Sequence, residues 1–356
     1  MKLIRHLVAS VFALALAALL PAAGEPPHGS LANLVIDSSV LRVSVLKVDP
    51  QRHVIVYLPP GYADSGLRYP VVYYFHTFNT NPTRFFSDSR VQRQFDRAID
   101  DGLTRPVIVV VADYSLPAAA GFYENSPVTG RWLDFTTQEL VPAIDAHFRT
   151  LPQRASRALT GDGIGGYGAL KFAMLYPDLF SVVYALHPVG TGTGVVPMVS
   201  RPDWPKIHRA RTIHDLEGDP FSGIFVAMAQ AFLPDPDRPP FYCDFLMEMD
   251  HGELKVNVAN MRKLQDRFLL DHLVLDHVDA LRRMRGIKFD WGRYDSNPDH
   301  VYSNQAFTRK LDDLGIEHFA EEYRGNGWDH NWIDEGRVYC EMMPFLNRHL
   351  SFEAGQ

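Results

Sequence analysis

Cysteine is scarce in this sequence: the 356 residues include only two, Cys243 and Cys340. At most one disulfide bond can therefore form. The residues alone do not decide between one disulfide and two separate thiols, because spacing along the chain does not show whether the two side chains meet.

Long apolar runs are also missing, except at the amino terminus. No stretch after the first two dozen residues approaches the roughly eighteen consecutive apolar residues of a membrane span, so we expect no membrane domain in the mature chain. Met1 to Gly24 has a basic start, an apolar stretch from Leu7 to Leu20 and small residues before Glu25. This pattern predicts a signal peptide, residues 1–24, and a secreted or periplasmic protein.

Positive charge is in deficit, with 35 lysines and arginines against 42 acidic residues and a formal net charge of −7. Without a basic patch, nucleic acid is not expected as a partner. Hydrophobic residues make up 46% of the chain, which is enough for a large core. We therefore expect residues 25–356 to form a single domain, whose oligomeric state the sequence does not determine.

Buried strands alternate with helices along the chain. Pro70 to Phe75 and Pro106 to Ala112 are continuous apolar runs, and Gln92 to Asp101 between them has a helical pattern. This alternation predicts a parallel sheet with crossover helices. Leu41 to Val48 and His53 to Leu58 alternate apolar and polar residues, so we predict an antiparallel hairpin at the sheet edge.

The most informative stretch runs from Arg157 to Pro188. A short strand, a glycine-rich turn, a helix from Ala169 to Tyr176 and a second buried strand from Ser181 to His187 follow one another. A strand, sharp turn and helix with glycines two positions before and after the apex is the geometry of the nucleophile elbow, Gly-x-Ser-x-Gly. Here the turn reads Gly-Asp-Gly-Ile-Gly, so Gly163 stands at the apex and the attacking serine is absent.

The run from Gly165 to Phe180 resembles the esterase family of α/β-hydrolases, which includes S-formylglutathione hydrolases, feruloyl esterases and mycolyltransferase relatives. The family typically has Gly-His-Ser-Met-Gly-Gly-Tyr-Gly-Ala-Leu, a helix and His-Pro-Asp-Leu-Phe here. The resemblance implies an α/β-hydrolase fold, with a mostly parallel central sheet and helices on both faces. The long polar, proline-rich segment near 195–285 is interpreted as a cap insertion over the carboxyl edge of that sheet.

The resemblance also implies roles for particular residues. Asp295, on the loop after a predicted strand, matches the catalytic acid, and His330, on the final loop, matches the catalytic histidine. The backbone N–H groups of Phe78 and Ile164 match the oxyanion hole. Thr77 stands where the family has glycine, which changes the loop that carries Phe78.

Four further residues near these positions are candidates for ligand contact: His76, Thr77, Asp162 and His187. His76 also has a purely structural interpretation, as a histidine that ends a core strand with its ring hydrogen-bonded. The same glycines fit Gly161-x-Gly163-x-x-Gly166, a dinucleotide fingerprint. That motif requires an acidic residue at the end of the next strand, and this strand ends in His187-Pro188.

Three functions remain open from the sequence. Loss of the serine from such a triad costs about 10⁶ in turnover, so the first is a degenerate esterase that binds a small ester or acyl ligand without normal turnover. The second is a hydrolase in which His330, oriented by Asp295, activates a water molecule. The third is a metal-assisted hydrolase in which His187 joins His330, His76 or Asp162 as ligands. No cofactor or metal is expected, because no short-range ligand pair is present.

Overall fold

The computed structural model describes residues 28–354. The predicted signal peptide, residues 1–24, lies outside this range. Within it, no helix is both long and apolar enough to span a bilayer. Cys243 is buried, Cys340 is exposed, and both are free thiols.

An eight-stranded sheet forms the centre of the molecule. Its strands, in chain order, are β1 Ser30–Asp37, β2 Gln51–Leu58, β3 Val71–Phe75, β4 Ile108–Ala112, β5 Arg157–Asp162, β6 Val182–Leu186, β7 Gly286–Gly292 and β8 Phe319–Tyr323. Their order across the sheet is β1-β2-β4-β3-β5-β6-β7-β8. The β1–β2 and β2–β4 pairs are antiparallel, and all others are parallel. The predicted α/β-hydrolase fold with a mostly parallel sheet is therefore confirmed.

Helices cover both faces of the sheet, and each face has its own hydrophobic cluster. Three helices matter for the site: α1 Ile164–Leu175, α2 Pro220–Phe232 and α3 Pro298–Asp313. The remaining helical segments are Pro82–Ser87, Ser89–Asp100, Trp132–Asp134, Phe135–Leu140, Val141–His147, Arg154–Ser156, Met198–Ser200, Trp204–Arg209, Ile213–Leu216, Val258–Phe268, Leu270–Leu273, Val274–Asp276, Val278–Arg282, Val338–Met342 and Met343–His349. Two short hairpins pair Asn125–Ser126 with Gly130–Arg131, and Met247–Asp250 with Glu253–Val256.

The edge hairpin differs from its prediction. Its first strand is β1, and the predicted strand 41–48 is a series of turns. The hydroxyls of Ser38 and Ser44 accept the backbone N–H groups of Leu41 and Val48, at 3.2 and 2.9 Å. Such local bonds favour turns over a sheet ladder. Apolar alternation in this segment therefore reflects burial of a loop and not a strand.

Close approach of the backbone explains two of the glycines in the turn between β5 and α1. A Cβ atom on Gly161 or Gly165 would overlap the carbonyl oxygen of Phe75 on the neighbouring strand β3. Gly163, between them, has φ +56° and ψ −116°. This is a backbone conformation that glycine adopts readily and L side chains rarely do. The chain therefore forms the strand, tight turn and helix of the elbow, with position 163 at its apex.

Candidate functional site

A cavity of about 320 Å³ lies beside the elbow. Ile164 at the start of α1 forms part of its wall, and much of the rest comes from the segment predicted as a cap. Apolar side chains dominate the lining, among them Phe122, Ile224, Phe225, Met228 and Phe268. One side is polar and consists of Arg201, Asp295, Asn297, Asp299 and His300. A mostly apolar cavity with a few convergent polar groups is typical of a small-molecule site.

The space beside the apex residue, Gly163, is occupied. A Cβ atom built on Gly163 would lie 2.7 Å from the Thr77 hydroxyl oxygen and 2.9 Å from two ring carbons of Trp328. Real Cβ atoms do not come this close to other heavy atoms, so a serine side chain has no room unless Thr77 or Trp328 moves. The space that a serine side chain at position 163 would occupy is therefore filled by these two side chains.

The two predicted oxyanion residues, Phe78 and Ile164, both line the cavity. Across residues 28–354, neither backbone N–H donates to a protein acceptor. Two such donors on one cavity wall are available for an oxygen of a ligand. Thr77, which precedes Phe78, lies at the apex rather than in the cavity lining.

Asp295 is the centre of a buried hydrogen-bond network. Its Oδ2 accepts from Nε2 of His187 and from Nδ1 of His300, the latter at 2.7 Å, and its Oδ1 accepts the backbone N–H of Asn297 at 2.8 Å. Burial alone raises the pKa of Asp295, but the hydrogen bonds from His187, His300 and Asn297 outweigh it and hold the pKa well below the ordinary value. Asp295 is therefore an ionised carboxylate at neutral pH.

Within residues 28–354, His330 neither bonds to Asp295 nor lines the cavity. The structure pairs it with its neighbour Asp329, at 2.5 Å, while Asp295 takes His187 and His300 in its place. The fully buried ring of His187 occupies the space beside Asp295. The final loop packs on that ring so closely that a Cβ on Gly327 would overlap it. His187 has a backbone φ of +47°, which is uncommon for histidine and shows how tightly its contacts fix it.

The hydrogen bonds also fix where the imidazole protons lie. Gly292 donates its backbone N–H to Nδ1 of His187 at 3.2 Å, so the proton of that ring is on Nε2. The side-chain amide of Asn297 donates to Nε2 of His300 at 2.9 Å, because its oxygen accepts from Arg201. The proton of His300 is therefore on Nδ1. Both rings are neutral donors to Asp295.

These tautomers bear on the metal hypothesis. Atoms of His187, Asp295 and His300 lie within 4.8 Å of one another, close enough to surround an ion. A metal-bound histidine normally donates its other ring N–H to a second group. Here the outward-facing nitrogen of each ring accepts a hydrogen bond, so ligation would require an imidazolate or a rearranged network. The three residues fit a hydrogen-bonded cluster better than a metal centre.

His76 and Asp162 lie around the elbow. His76 is fully buried; its Nε2 accepts the backbone N–H of Tyr114 and its Nδ1 donates to the carbonyl of Thr77, both at 2.9 Å. Burial lowers the pKa of His76, in keeping with a neutral ring that supports the loop. Desolvation raises the pKa of Asp162, which precedes the apex, to about 6, although the nearby Tyr74 hydroxyl opposes this.

Part of the chain matches a known protein family. Residues 47–215 match the family model described as "Putative esterase". These residues make up a little under half of the chain. The match includes the elbow and the loop of Thr77 and Phe78, and it ends before Asp295 and His300.

Two curated relatives align with part of the chain. Esterase Rv1288 of Mycobacterium tuberculosis is 38% identical over 133 residues, which are 35% of this chain and 26% of that protein. An endo-1,4-beta-xylanase/feruloyl esterase of Xylanibacter ruminicola is 32% identical over 130 residues, or 35% of this chain and 18% of that one. The aligned parts thus span about a quarter or less of these esterase-family relatives.

Solved structures extend the likeness to nearly the whole chain. A ferulic acid esterase superposes with a TM-score of 0.63 at 16% identity, covering 91% of this chain and 100% of the other. An S-formylglutathione hydrolase from Agrobacterium tumefaciens gives a TM-score of 0.59 at 17% identity, covering 91% and 96%. At this level of identity the likeness establishes the shared α/β-hydrolase fold alone.

The sequence analysis missed three side chains of this site: His300, Trp328 and Arg201. His300 follows Asp295 by five residues and lies in the first turn of α3. A histidine at the start of a helix is only a weak indication of a functional residue. Trp328 is in the same loop as His330, and its ring centre lies 5.0 Å from that of His187. Arg201 comes from a segment with no readable pattern, so only the structure could place it.

We expect substitution of His187 and of His330 to have very different effects on stability. His187→Ala removes a fully buried ring and one of the donors to Asp295, and should lower the free energy of unfolding by about 2 to 4 kcal/mol. His330, with a side chain 36% exposed, should change it by less than about 1 kcal/mol when replaced by alanine. Urea unfolding at pH 7 measures both. Equal losses would contradict the network described above.

Proposed function

We propose that this protein is exported and binds a small ester or acyl ligand in the cavity beside Gly163, without forming an acyl-enzyme. One observation carries the proposal: the place of the serine side chain is filled by Thr77 and Trp328. The apolar lining suits an acyl or aryl body, and the unpaired N–H groups of Phe78 and Ile164 suit a carbonyl oxygen.

The hydroxyl oxygen of Thr77 lies 2.7 Å from a Cβ placed on Gly163. This makes Thr77 a candidate for a replacement nucleophile. A hydroxyl needs an adjacent base to attack an ester at a useful rate. In the described part of the chain no histidine nitrogen hydrogen-bonds to that oxygen; the ring of His76 bonds to the backbone carbonyl of Thr77 instead. Thr77 therefore supports the binding function by filling space.

Direct hydrolysis by an activated water is less well supported. The hydrolase predicted from the sequence requires Asp295 to orient His330. In the structure His330 is hydrogen-bonded to Asp329 instead. His300 does meet Asp295 and lines the cavity, but its Nε2, which would take the proton from water, already accepts from Asn297. While Nε2 of His300 accepts this hydrogen bond, its lone pair is not available to take a proton from water.

Two measurements test the proposal. Binding of N-phenyl-1-naphthylamine, a neutral apolar dye, should raise its fluorescence, and Ile224→Trp, which fills the cavity, should weaken that binding. Leu254→Trp, on a cap hairpin outside the cavity lining, is the matched control. Hydrolysis of p-nitrophenyl butyrate should fall about 10⁶-fold short of serine esterase rates.

The opposite results are equally clear. Ordinary esterase turnover that Thr77→Val or His330→Ala abolishes would overturn the proposal and identify the working nucleophile or base. Dye binding that Ile224→Trp leaves unchanged would remove the cavity from the function. Export is tested by the molecular mass of the protein recovered outside the cytoplasm. Cleavage near Gly24 removes the predicted signal peptide and lowers that molecular mass.

A further inference from the structure

Arg201 is the one cation that lines the cavity within residues 28–354. Its Nη2 donates to the side-chain oxygen of Asn297 at 2.5 Å and pairs with the Asp299 carboxylate. The guanidinium carbon lies 5.5 Å from the centre of the Phe221 ring. Across the described residues, the hydrogens on Nε and Nη1 have no acceptor. Arg201 therefore has unused donors on the polar side of the cavity.

Asp299 is held in place as the counterion of Arg201. Its Oδ1 accepts the backbone N–H groups of Val195 and Val196, each at 2.8 Å, and its Oδ2 faces the guanidinium. It also lies in the first turn of α3, where a negative charge offsets the positive end of the helix dipole. The charge of Arg201 is thus already neutralised before any ligand arrives.

The balance of charge on this wall is negative. Asp295 is the second ionised carboxylate of the lining, and the tautomer of His300 makes that ring neutral. Gly192 also lines the cavity, and a Cβ placed on it would lie 3.4 Å from the Asp271 carboxylate. A carboxylate entering the cavity would meet these like charges in a poorly solvated space, whereas an uncharged oxygen would accept the hydrogen bonds without that repulsion.

We propose that Arg201 and Asp299 together determine the ligand class of the cavity: Arg201 donates its free N–H groups to an uncharged carbonyl or ether oxygen, and the neighbouring carboxylates exclude free acids. This inference rests on the proposed binding function and adds a selectivity to it. An arginine without a paired aspartate would instead favour ligands with a carboxylate, because its positive charge would attract them.

A pair of ligands of equal shape tests this selectivity. 4-Phenylbutan-2-one and 3-phenylpropionate share a phenylethyl group on a carbonyl carbon and differ in a methyl group against a charged oxygen. Calorimetric titration at pH 8 should give the ketone an affinity at least about tenfold higher than the carboxylate. Arg201→Gln should weaken ketone binding by about fivefold or more, through loss of the donors.

Asp299→Asn is the decisive variant. The asparagine oxygen can still accept from Val195 and Val196, but Arg201 loses its counterion. The carboxylate should then gain at least about tenfold relative to the ketone. Arg238→Gln, which breaks an ion pair with Asp244 away from the cavity lining, should leave the ratio unchanged. Thermal unfolding of each variant shows whether it is folded.

The outcomes separate this inference from the proposed function. If the apolar dye binds in the cavity but ketone and carboxylate bind equally well, or Asp299→Asn does not alter their ratio, the selectivity is refuted and the binding function stands. If the dye and both small ligands fail to bind, the binding function fails and the selectivity fails with it.

Discussion

Gly163→Ser lowers the free energy of unfolding by about 2 to 6 kcal/mol and confers no esterase activity. Two costs combine in this expectation. A side chain at φ +56° and ψ −116° is strained by about 1 to 3 kcal/mol. Its Cβ would also press on Thr77 and Trp328, and overpacking of this kind costs about 1 to 3 kcal/mol. Activity is not restored, because Asp295 is committed to His187 and His300.

Gly218→Ser separates the two costs. Gly218 also has a positive φ, +79°, but nothing lies within 4 Å of a Cβ placed there. Its substitution carries the backbone strain alone and should cost about 1 kcal/mol. Urea unfolding of both variants, with p-nitrophenyl butyrate as the activity test, makes the comparison. A Gly163→Ser protein that is as stable as its parent, or that hydrolyses the ester, would show that the apex is still open.

Asp295→Asn lowers the free energy of unfolding by about 2 to 4 kcal/mol at pH 7. The amide replaces one carboxylate oxygen with an NH₂ donor. In either orientation this NH₂ faces a donor, either the two imidazole N–H groups or the backbone N–H of Asn297, so a buried donor loses its acceptor. The pKa of Asp295 is lowered in the folded protein, chiefly because the hydrogen bonds from His187, His300 and Asn297 outweigh burial. The carboxylate therefore stabilises the fold above its unfolded pKa near 3.9, and this contribution is lost as pH falls below that value.

Unfolding in urea between pH 7 and pH 3 tests this expectation. The parent should lose more stability than Asp295→Asn as the pH falls through about 4, so their difference should shrink toward acid pH. Asp237→Asn, at an exposed position in the cap segment, is the control and should stay within about 0.5 kcal/mol of the parent. A difference that is constant across this range would mean that Asp295 is not a stabilising carboxylate.

Local pattern predicted the sheet strands and the elbow well, for reasons that the structure makes plain. β3, β4 and β6 are fully buried, and a strand buried on both faces needs an unbroken apolar run, which is visible in any sequence. The glycines of the elbow are required by contacts with the adjacent strand, so their spacing indicated the turn directly. The edge hairpin was predicted wrongly, because serine-bonded turns bury apolar residues in an alternating order as well.

Partners of Asp295 could not be predicted in the same way. Asp295, the expected partner His330 and the observed partner His187 lie on different loops. The packing of these loops determines which imidazole lies beside Asp295. His187 fills that space from the end of β6, and His300 approaches from the start of α3. A resemblance between motifs aligns positions along a chain and contains no information about such competition for space.

The alternation of buried strands and helices indicated a parallel α/β sheet, and the resemblance between motifs implied the α/β-hydrolase fold. The sequence did not show which side chains fill the space beside Gly163 or which imidazoles meet Asp295. Those outcomes depend on Trp328, Thr77 and His187 converging from distant segments, and the packing of side chains remote in sequence is settled by the whole fold at once.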